Sequence, residues 1–297
     1  MVVYASHDDA AYWPGLFAGF TRETGIRVTV KHGDAEKIVA DVIAKRGSPP
    51  ADVLLTPNVA GIWRAADEGA LLPLSSDSVR AQVEERFRDP DGYWTAVSHR
   101  AAEIVTDSEI VAPVELAHYE ELSRPEYKGL LCLSSSALSV NRSIIAMLIT
   151  KHSARPAEII VRGWVANLAI PPLDTEAKLM QAIDAGTCAL GIVSAPEAER
   201  HLAAGGDARL ARITPTPAYA DVEAVGINRH AREPDAARRL VEWMLAPEFQ
   251  RAHSEASMQR SVLFPGGADQ ASAQNAVATI GAFDQEAVLL AERARYR

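Results

Sequence analysis

Residues 185–202 read AGTCALGIVSAPEAERHL and contain a helix end, a short strand and the start of another helix. The apolar run Leu190–Val193 predicts a buried strand. Ser194 follows it as an N-cap, because a serine oxygen accepts a hydrogen bond from an unpaired N–H group of the first helical turn. Pro196 suits the first helical position, and Glu197 completes the Ser-x-x-Glu pattern of a capping box. A strand that turns directly into a helix is the repeating unit of α/β folds.

The N-terminal part of the chain repeats this unit. Strands are predicted at Val2–Ala5, Ile26–Lys31 and Ala51–Leu55, with helices between them at Tyr12–Thr24 and Ala35–Lys45. Strand–helix–strand order implies parallel pairing through right-handed crossovers. The third strand is apolar at nearly every position, as expected for a strand whose two faces are both covered.

A second unit of the same kind is predicted between about Arg100 and Tyr219, before the apolar strand Val222–Asn228. The predicted fold class is therefore α/β with two lobes, each a mixed sheet flanked by helices. The chain crosses between the lobes near Arg100 and again near Asp221. We assign residues 1–100 and 222–262 to the N-terminal lobe, and residues 101–221 and 263–297 to the C-terminal lobe.

Composition narrows the class of partner. The chain has 297 residues, enough for two domains with their own cores, and a formal net charge of −9. This negative charge argues against nucleic acid or an anionic membrane surface as the main partner. No apolar run approaches the roughly 20 residues that a membrane-spanning helix needs. We expect a monomer that binds a small molecule.

The two cysteines, Cys132 and Cys188, lie far apart in the sequence and form no CxxC-type metal motif. Each lies in or beside a predicted buried strand. They are either two inert buried thiols or, if their strands are neighbours, a disulfide. A disulfide would fit an oxidising compartment.

Candidate ligand contacts follow from the strand order. Ligands of open α/β sheets bind beyond the carboxyl ends of the strands, and the cleft between two lobes is such a place. The strand-end loops and the predicted crossings supply the candidates, which are His7, Asp8, Asn58, Arg100, Ser135, Ser136, Asn141, Arg142, Thr175, Ser194, Ala195, Glu197 and Tyr219.

Part of this set is typical of an anion site. Ser134–Ser136 precede a predicted helix, whose first N–H groups and neighbouring hydroxyls can hold an anion. Arg100 and Arg142 could add bidentate pairing. The alternatives are helix capping by the serines and ordinary surface positions for the arginines. Capping is likewise the simpler interpretation of the loop at Asp8 and of Thr175.

The sequence does not predict an enzyme. It contains no HExxH, no GxSxG and no Walker loop, and its eight histidines are scattered singly. Acidic pairs such as Glu84–Glu85 lie on predicted exposed faces, where charges are normally solvated.

Several short motifs, in order and spacing, resemble one known family. They are Val3-Tyr-Ala-Ser6, Phe20-Thr-Arg-Glu-Thr-Gly-Ile26, Pro50-Ala-Asp-Val-Leu54, Trp63-Arg-Ala-Ala-Asp-Glu-Gly-Ala-Leu-Leu-Pro73, Gly92-Tyr-Trp94, Ser98-His-Arg100, Lys128-Gly129, Ser134-Ser-Ser136, Asp174-Thr175 and Ala185-Gly186. Together they resemble the class II solute-binding proteins of ABC importers, in the ferric-iron-binding branch. The resemblance implies a two-lobed periplasmic-binding-protein fold of type II (a Venus flytrap) and delivery of a ligand to an inner-membrane ABC permease.

The resemblance also implies a periplasmic location. Met1 is followed at once by a predicted core strand, so we find no signal peptide in this sequence. The protein is then either cytoplasmic, or Met1 replaces a leader that has been removed. Only the resemblance favours the second interpretation.

The iron site of the family transfers poorly to this chain. Its paired tyrosines would fall at Pro196 and Glu197, a further tyrosine at Val140 and a glutamate at Pro57. A hard trivalent cation requires several anionic oxygen ligands, and these residues, apart from Glu197, supply none. The sequence therefore predicts no metal ligands and no resident cofactor. The family resemblance implies bound iron, but the residues at these positions argue against it.

We therefore expect the substrate-binding component of an ABC importer whose ligand is a small organic or phosphorylated anion, or a ferric chelate that brings its own oxygens. The resemblance includes relatives without the tyrosines that bind phosphorylated sugars or phosphonates. The alternative is a sensing or adaptor domain that reports ligand occupancy to a partner protein.

Overall fold

The computed structural model describes residues 1–6, 10–44, 51–207, 209–216, 220–263 and 277–297. These residues form two compact units. The first contains the described residues of 1–99, 222–263 and 277–282, and the second those of 100–221 and 283–297. The chain passes from the first unit to the second between His99 and Arg100, and returns between Asp221 and Val222.

The described strands are β1 (Val2–Ala5), β2 (Thr29–His32), β3 (Val53–Thr56), β4 (Leu71–Leu72), β5 (Trp94–Asp107), β6 (Leu131–Cys132), β7 (Leu190–Ser194), β8 (Leu210–Ile213), β9 (Ala220–Asn228) and β10 (Arg260–Ser261). The described α-helices are α1 (Tyr12–Thr24), α2 (Ala35–Ala44), α3 (Val59–Asp67), α4 (Asp77–Gln82), α5 (Ser139–His152), α6 (Ala154–Asn167), α7 (Glu176–Asp184), α8 (Ala195–Ala203), α9 (Pro234–Met244), α10 (Pro247–Ser257), α11 (Val277–Ala282) and α12 (Asp284–Arg293). Short 3-10 turns lie at 85–87, 113–115, 119–123 and 125–127. Within these described ranges, no helix is both long and apolar enough to cross a bilayer.

The sheet of the first unit is mixed, as predicted. β1 pairs in parallel with β2 and β3, and β3 pairs antiparallel with β9. β4 also pairs with β9, and β10 pairs with the first half of β5. Helix α1 buries Trp13, Phe17 and Phe20 on one face. It ends at Gly25, whose left-handed backbone (φ 72°) lets its N–H group donate to Thr21 O at 2.9 Å.

The sheet of the second unit is mixed as well. The second half of β5 pairs antiparallel with β7 and β8, and β6 pairs in parallel with β7. β5 runs without a break from Trp94 to Asp107, through the position near Arg100 at which the sequence predicts the crossing between the lobes. The charged residues Arg100 and Glu103 interrupt its apolar pattern, and each is paired in the fold, Glu103 with Arg212 at 2.6 Å.

Three places differ from the division expected from the sequence. Arg100 belongs to the second unit, whereas Leu263 and α11 belong to the first. Gly281 of α11 lies directly against Trp63 of α3, where a Cβ atom would come within 2.8 Å of the Trp63 Cβ. A glycine at this position lets α11 approach α3 closely, which ties this late segment to the first unit.

Cys132 and Cys188 form a disulfide, so the alternative of two free thiols is wrong. The parallel register of β6 and β7 places Cys132 opposite Gly191, and Cys188 precedes β7 by two residues. The Cα atoms of the two cysteines lie 5.8 Å apart, inside the range that a disulfide spans. The bond lies in a core patch with Leu179 and Ile183. Such a bond fits an oxidising compartment.

We expect the variant C132A/C188A to lose about 4 kcal/mol of unfolding free energy, because the disulfide closes a loop across a sequence separation of 56 residues. Urea unfolding of the full chain measures the loss. Dithiothreitol should destabilise the wild-type protein by a similar amount and leave the variant unchanged. An equal response of both proteins to dithiothreitol would contradict the assignment.

His99 makes the stability of the first unit depend on pH. Its ring is 5% exposed and stacks on Phe87 with centroids 4.8 Å apart. Burial, with Arg260 and Arg86 nearby, lowers the pKa of His99 from 6.5 to about 4. Between these two pH values, His99 is therefore protonated in the unfolded chain and neutral in the folded chain.

The contribution of His99 to the unfolding free energy should be fully present above pH 6.5. It should fall by up to about 3 kcal/mol as the pH drops towards 4. The variant H99F keeps an aromatic ring against Phe87 and removes the titration. Urea unfolding at steps between pH 7 and 4 should show a flatter profile for H99F than for the wild-type protein. Parallel profiles would exclude His99 as the cause.

Candidate functional site

Polar side chains collect where the parallel strands of each unit end. In the second unit β6 and β7 run parallel; Ser134 follows β6 by two residues, and Ser194 is the last residue of β7. In the first unit the end of β3 lies beside the start of β9, with Thr56 opposite Ala224. Each edge carries a hydrogen-bonded cluster, and we describe the two separately.

The cluster of the second unit, here called the Glu176 cluster, comprises Arg100, Ser134, Asn141, Glu176, Ser194 and Tyr296. Glu176 is the first residue of α7, and its carboxylate accepts hydrogen bonds from the backbone N–H and the hydroxyl of Ser194, the latter at 3.0 Å. The carboxyl group is enclosed, although the residue as a whole is partly exposed. This burial raises the pKa of Glu176, against the opposing effects of the two hydrogen bonds and of Arg100.

Ser194 occupies the predicted N-cap position of α8, but its side chain makes no capping bond and donates to Glu176 instead. The predicted capping box is therefore wrong. Glu197 pairs with Arg200 at 2.8 Å, one turn further along the helix. Ala195 and Pro196 are buried as the first two residues of α8, which places the proline one position later than predicted.

The serine-rich turn is closed by internal hydrogen bonds. Asn141, which is 1% exposed, donates through Nδ2 to Ser134 O, Ser134 Oγ and Ser135 O at 2.8–3.1 Å. Ser136 Oγ donates to Tyr296 O at 2.8 Å, and the Tyr296 hydroxyl donates to Ser134 O at 2.6 Å. Ser135 Oγ accepts from the N–H group of Ala137. Asn141 Oδ1 is buried without a hydrogen-bond partner among the described residues.

Both arginines of the predicted anion site pair with carboxylates. Arg100 Nη2 lies 2.8 Å from Asp221 Oδ2 and 3.3 Å from Ser139 Oγ, and Asp221 is 1% exposed. Arg142 Nε lies 3.3 Å from Asp284 Oδ1. A free anion would have to compete with these carboxylates for the two guanidinium groups. The role of Arg100 and Arg142 as ligand contacts stays a prediction.

Two further candidates are helix caps in the structure. Thr175 Oγ1 accepts from the N–H group of Lys178 at 3.2 Å at the start of α7. Asn58 Oδ1 accepts from the N–H group of Gly61 at 3.0 Å at the start of α3. The Thr175 contact agrees with the capping alternative, whereas no cap was predicted at Asn58. Neither contact tests a ligand role. His7, Asp8 and Tyr219 lie outside the described residues.

The cluster of the first unit is a chain of hydrogen bonds and close polar contacts, here called the His253 chain. The Tyr12 hydroxyl lies 2.6 Å from His253 Nδ1, and His253 Nε2 lies 2.9 Å from Glu223 Oε2. Ser98 donates to Glu223 at 3.1 Å and to Gln259 at 2.9 Å. His253 is fully buried and stacks on Trp13, whereas Tyr12 is partly exposed. Burial and the charge of Glu223 raise the pKa of Tyr12, so its phenol stays protonated at neutral pH.

Sequence reasoning missed Tyr12, Glu176, Glu223, His253 and Tyr296. One signal was present: Glu223 stands inside an otherwise apolar strand, and a buried carboxylate requires a partner. No local pattern indicates Tyr296, whose pKa is raised well above its usual value by burial and by Glu176. Among the described residues, no three His, Cys, Asp or Glu side chains converge as a metal site would require.

The Arg100–Asp221 pair should be strongly coupled. Because Asp221 is almost fully buried, R100Q should cost about 3 kcal/mol of unfolding free energy by removing the cation that faces a buried carboxylate. R100Q/D221N should cost less than the sum of the single variants R100Q and D221N by 1 kcal/mol or more. Urea unfolding of the four proteins measures this coupling.

The exposed pair of Lys178 and Asp174, at 2.7 Å, is the control for this experiment. The same cycle with K178Q and D174N should give a coupling below about 1 kcal/mol. Equal coupling for the two pairs would show that burial of Asp221 does not strengthen its pairing with Arg100.

Known proteins resemble this chain over most of its length. The family model described as "Bacterial extracellular solute-binding protein" matches residues 2–257. Iron uptake protein A1 of Synechocystis sp. is 34% identical over 179 residues, 60% of this chain and 50% of that protein. Iron uptake protein A2 of the same organism is 24% identical over 255 residues, 80% of this chain and 72% of that protein. The match to the first relative thus spans about half of that relative's length.

Solved structures match the whole chain. Trichodesmium IdiA (FutA) in complex with iron and citrate ligands gives a TM-score of 0.90 at 25% identity and covers 100% of this chain and 99% of that one. The ferric binding protein from Campylobacter jejuni gives 0.89 at 20% identity, with 100% of both chains covered. These likenesses confirm the predicted fold class, the two-lobed α/β fold of periplasmic binding proteins.

Proposed function

The chain belongs to the family of bacterial extracellular solute-binding proteins, and we propose that it is the substrate-binding component of an ABC importer for iron. The main support for the role of a substrate-binding component is the family match over residues 2–257. The names of the relatives, iron uptake proteins of Synechocystis and an Fe(3+)-binding periplasmic protein of Serratia marcescens, support iron as the cargo. The family is one of binding proteins and not of enzymes.

We propose that the iron is carried as a ferric chelate, with a small organic anion as part of its coordination. Bare ferric ion requires several anionic oxygens, and the described residues bring no three acidic or histidine side chains together for it. The positions at which the resemblance expects tyrosines hold Val140, Pro196 and Glu197. The Trichodesmium protein, of the same fold, is in complex with iron and citrate ligands.

A free organic or phosphorylated anion is a weaker proposal for the cargo. The donors that would hold it are engaged, Arg100 by Asp221 and the Ser194 N–H group by Glu176. A metal chelate places a positive centre near such carboxylates and removes part of this conflict. No described contact favours the alternative of a sensing domain.

We propose that Tyr12 contacts the chelate. Its side chain is partly exposed, and its hydroxyl is held by His253. Its raised pKa keeps the phenol protonated at neutral pH, so the hydroxyl can donate a hydrogen bond. A carboxylate oxygen of the chelate is the group that such a phenol would meet.

Delivery to an inner-membrane ABC permease and a location in the periplasm complete the proposal. The Cys132–Cys188 disulfide supports an oxidising compartment. We propose that the protein acts as a monomer, as expected for a carrier that presents one ligand at a time.

Ferric citrate should raise the melting temperature of the protein and give a saturable heat in isothermal titration, because a ligand of the folded state stabilises it by mass action. Citrate alone should bind at least tenfold more weakly. Stabilisation by citrate alone to the same extent would favour the free-anion cargo, and no response to either would overturn the proposed function.

Visible absorbance tests the state of the tyrosine. We expect no strong phenolate-to-iron band on addition of ferric citrate, because the positions at which the resemblance expects tyrosines hold Val140, Pro196 and Glu197. The variant Y12F should weaken ferric citrate binding about tenfold, the effect of one lost hydrogen bond to a charged group. Y127F, at a buried tyrosine of the second unit, is the matched control and should bind normally. A strong purple or orange band that Y12F abolishes would show direct phenolate coordination.

A further inference from the structure

The imidazole ring of His253 lies between two aromatic faces and one carboxylate. The residue is 0% exposed, and its ring stacks on Trp13 and Phe249 with centroids 5.4 and 5.6 Å apart. At one edge of the ring, Nε2 lies 2.9 Å from Glu223 Oε2. Aromatic faces attract cations, and a carboxylate attracts them more strongly. A positive charge on this ring would therefore meet three favourable partners.

The neutral form of His253 commits the proton of Tyr12. A neutral imidazole has one N–H donor and one acceptor nitrogen. A bare Nε2 at 2.9 Å from Glu223 Oε2 would bring two lone pairs together, so the contact assigns the proton to Nε2. Nδ1 is then the acceptor for the Tyr12 hydroxyl at 2.6 Å. In this state the single proton of the phenol points at His253, and Tyr12 offers a ligand an acceptor and no donor.

A second proton on His253 reverses this contact. Nδ1–H then donates to the Tyr12 oxygen, and the phenol can direct its own proton to a ligand. A carboxylate ligand accepts hydrogen bonds and donates none. The donor that such a ligand requires from Tyr12 is thus available when the ring is charged.

Few charged groups act directly on this switch. Among the described residues, the titratable groups in contact with His253 are Tyr12 from α1 and Glu223 from β9. The two aromatic neighbours of the ring carry no charge, nor does Ser98 of β5, which donates to Glu223. Ser257, on the same helix as His253, donates to the backbone oxygen of His253 and is also neutral. A change of charge on the ring therefore acts first on Tyr12 and Glu223.

We propose that His253 is a positioning residue that couples binding of the chelate to the uptake of one proton. The inference rests on the proposed contact of Tyr12 with a carboxylate of the ligand. As the ligand binds, Nδ1 takes a proton from the solvent, Glu223 balances the new charge, and Tyr12 turns its hydroxyl proton from His253 to the ligand. Affinity for the chelate should then fall by up to tenfold per pH unit as the pH rises.

Isothermal titration of the full-length protein with ferric citrate at pH 8, in HEPES and in Tris, counts the protons exchanged, because the two buffers release a proton with different heats. All variants receive the same ligand solution, so proton exchange by ferric citrate itself cancels between them. The wild-type protein should take up close to one proton more per bound ligand than E223Q, in which the ring loses its carboxylate. Y12F should lose the same proton uptake and, as above, about tenfold in affinity.

A second histidine–carboxylate contact supplies the control. His201 Nε2 lies 2.8 Å from Asp184 Oδ2 in the second unit. D184N should match the wild-type protein in both affinity and proton uptake. A purely structural role of Glu223 would weaken binding in E223Q without changing the number of protons taken up. Circular dichroism shows whether each variant is folded, and Y12F gives the same comparison if E223Q is not.

Two results would overturn the inference in distinguishable ways. Ferric citrate binding with equal proton uptake in the wild-type protein and Y12F would exclude the role of His253 and leave the proposed function intact. Absence of any ferric citrate binding by the wild-type protein would overturn the proposed function and this inference together.

Discussion

The ion pair between Arg100 and Asp221 is the constraint on which the second unit depends. Arg100 is its first residue, and Asp221 is the last before the chain returns to the first unit. The pair joins the second half of β5 to the start of β9 across 121 residues of sequence, at 2.8 Å. Because Asp221 is buried, the arginine cannot leave it without a large cost in solvation. Both chain crossings are thereby fixed to each other.

Polar groups are paired within the protein in the Glu176 cluster as well. Donors that would suit an external anion, the N–H and hydroxyl of Ser194 and the guanidinium of Arg100, meet carboxylates of the protein itself. A folded protein satisfies buried polar groups internally whenever it can. A negatively charged ligand would therefore have to compete with carboxylates of the protein itself for these donors.

The candidate site was predictable in position and not in role. Ser194, Thr175 and Asn58 do stand at helix starts, as local pattern indicated, and two of the three are caps. Ser194 is not, because Glu176, which is 18 residues earlier, competes for its hydrogen bonds. His253, which lies on α10, links Tyr12 to Glu223, and no local sequence pattern near either residue indicates this contact.

Local pattern alone specified the alternation of strands and helices, the two α/β lobes and the strand ends at which polar residues gather. Periodicity and capping act over a few residues, so they can be recognised without knowing the fold. The folded chain was needed to establish the Cys132–Cys188 bond, the continuation of β5 to Asp107 and the partner of each buried charge. These depend on which strands become neighbours, and residues 56 or 121 positions apart carry no local sign that they will meet.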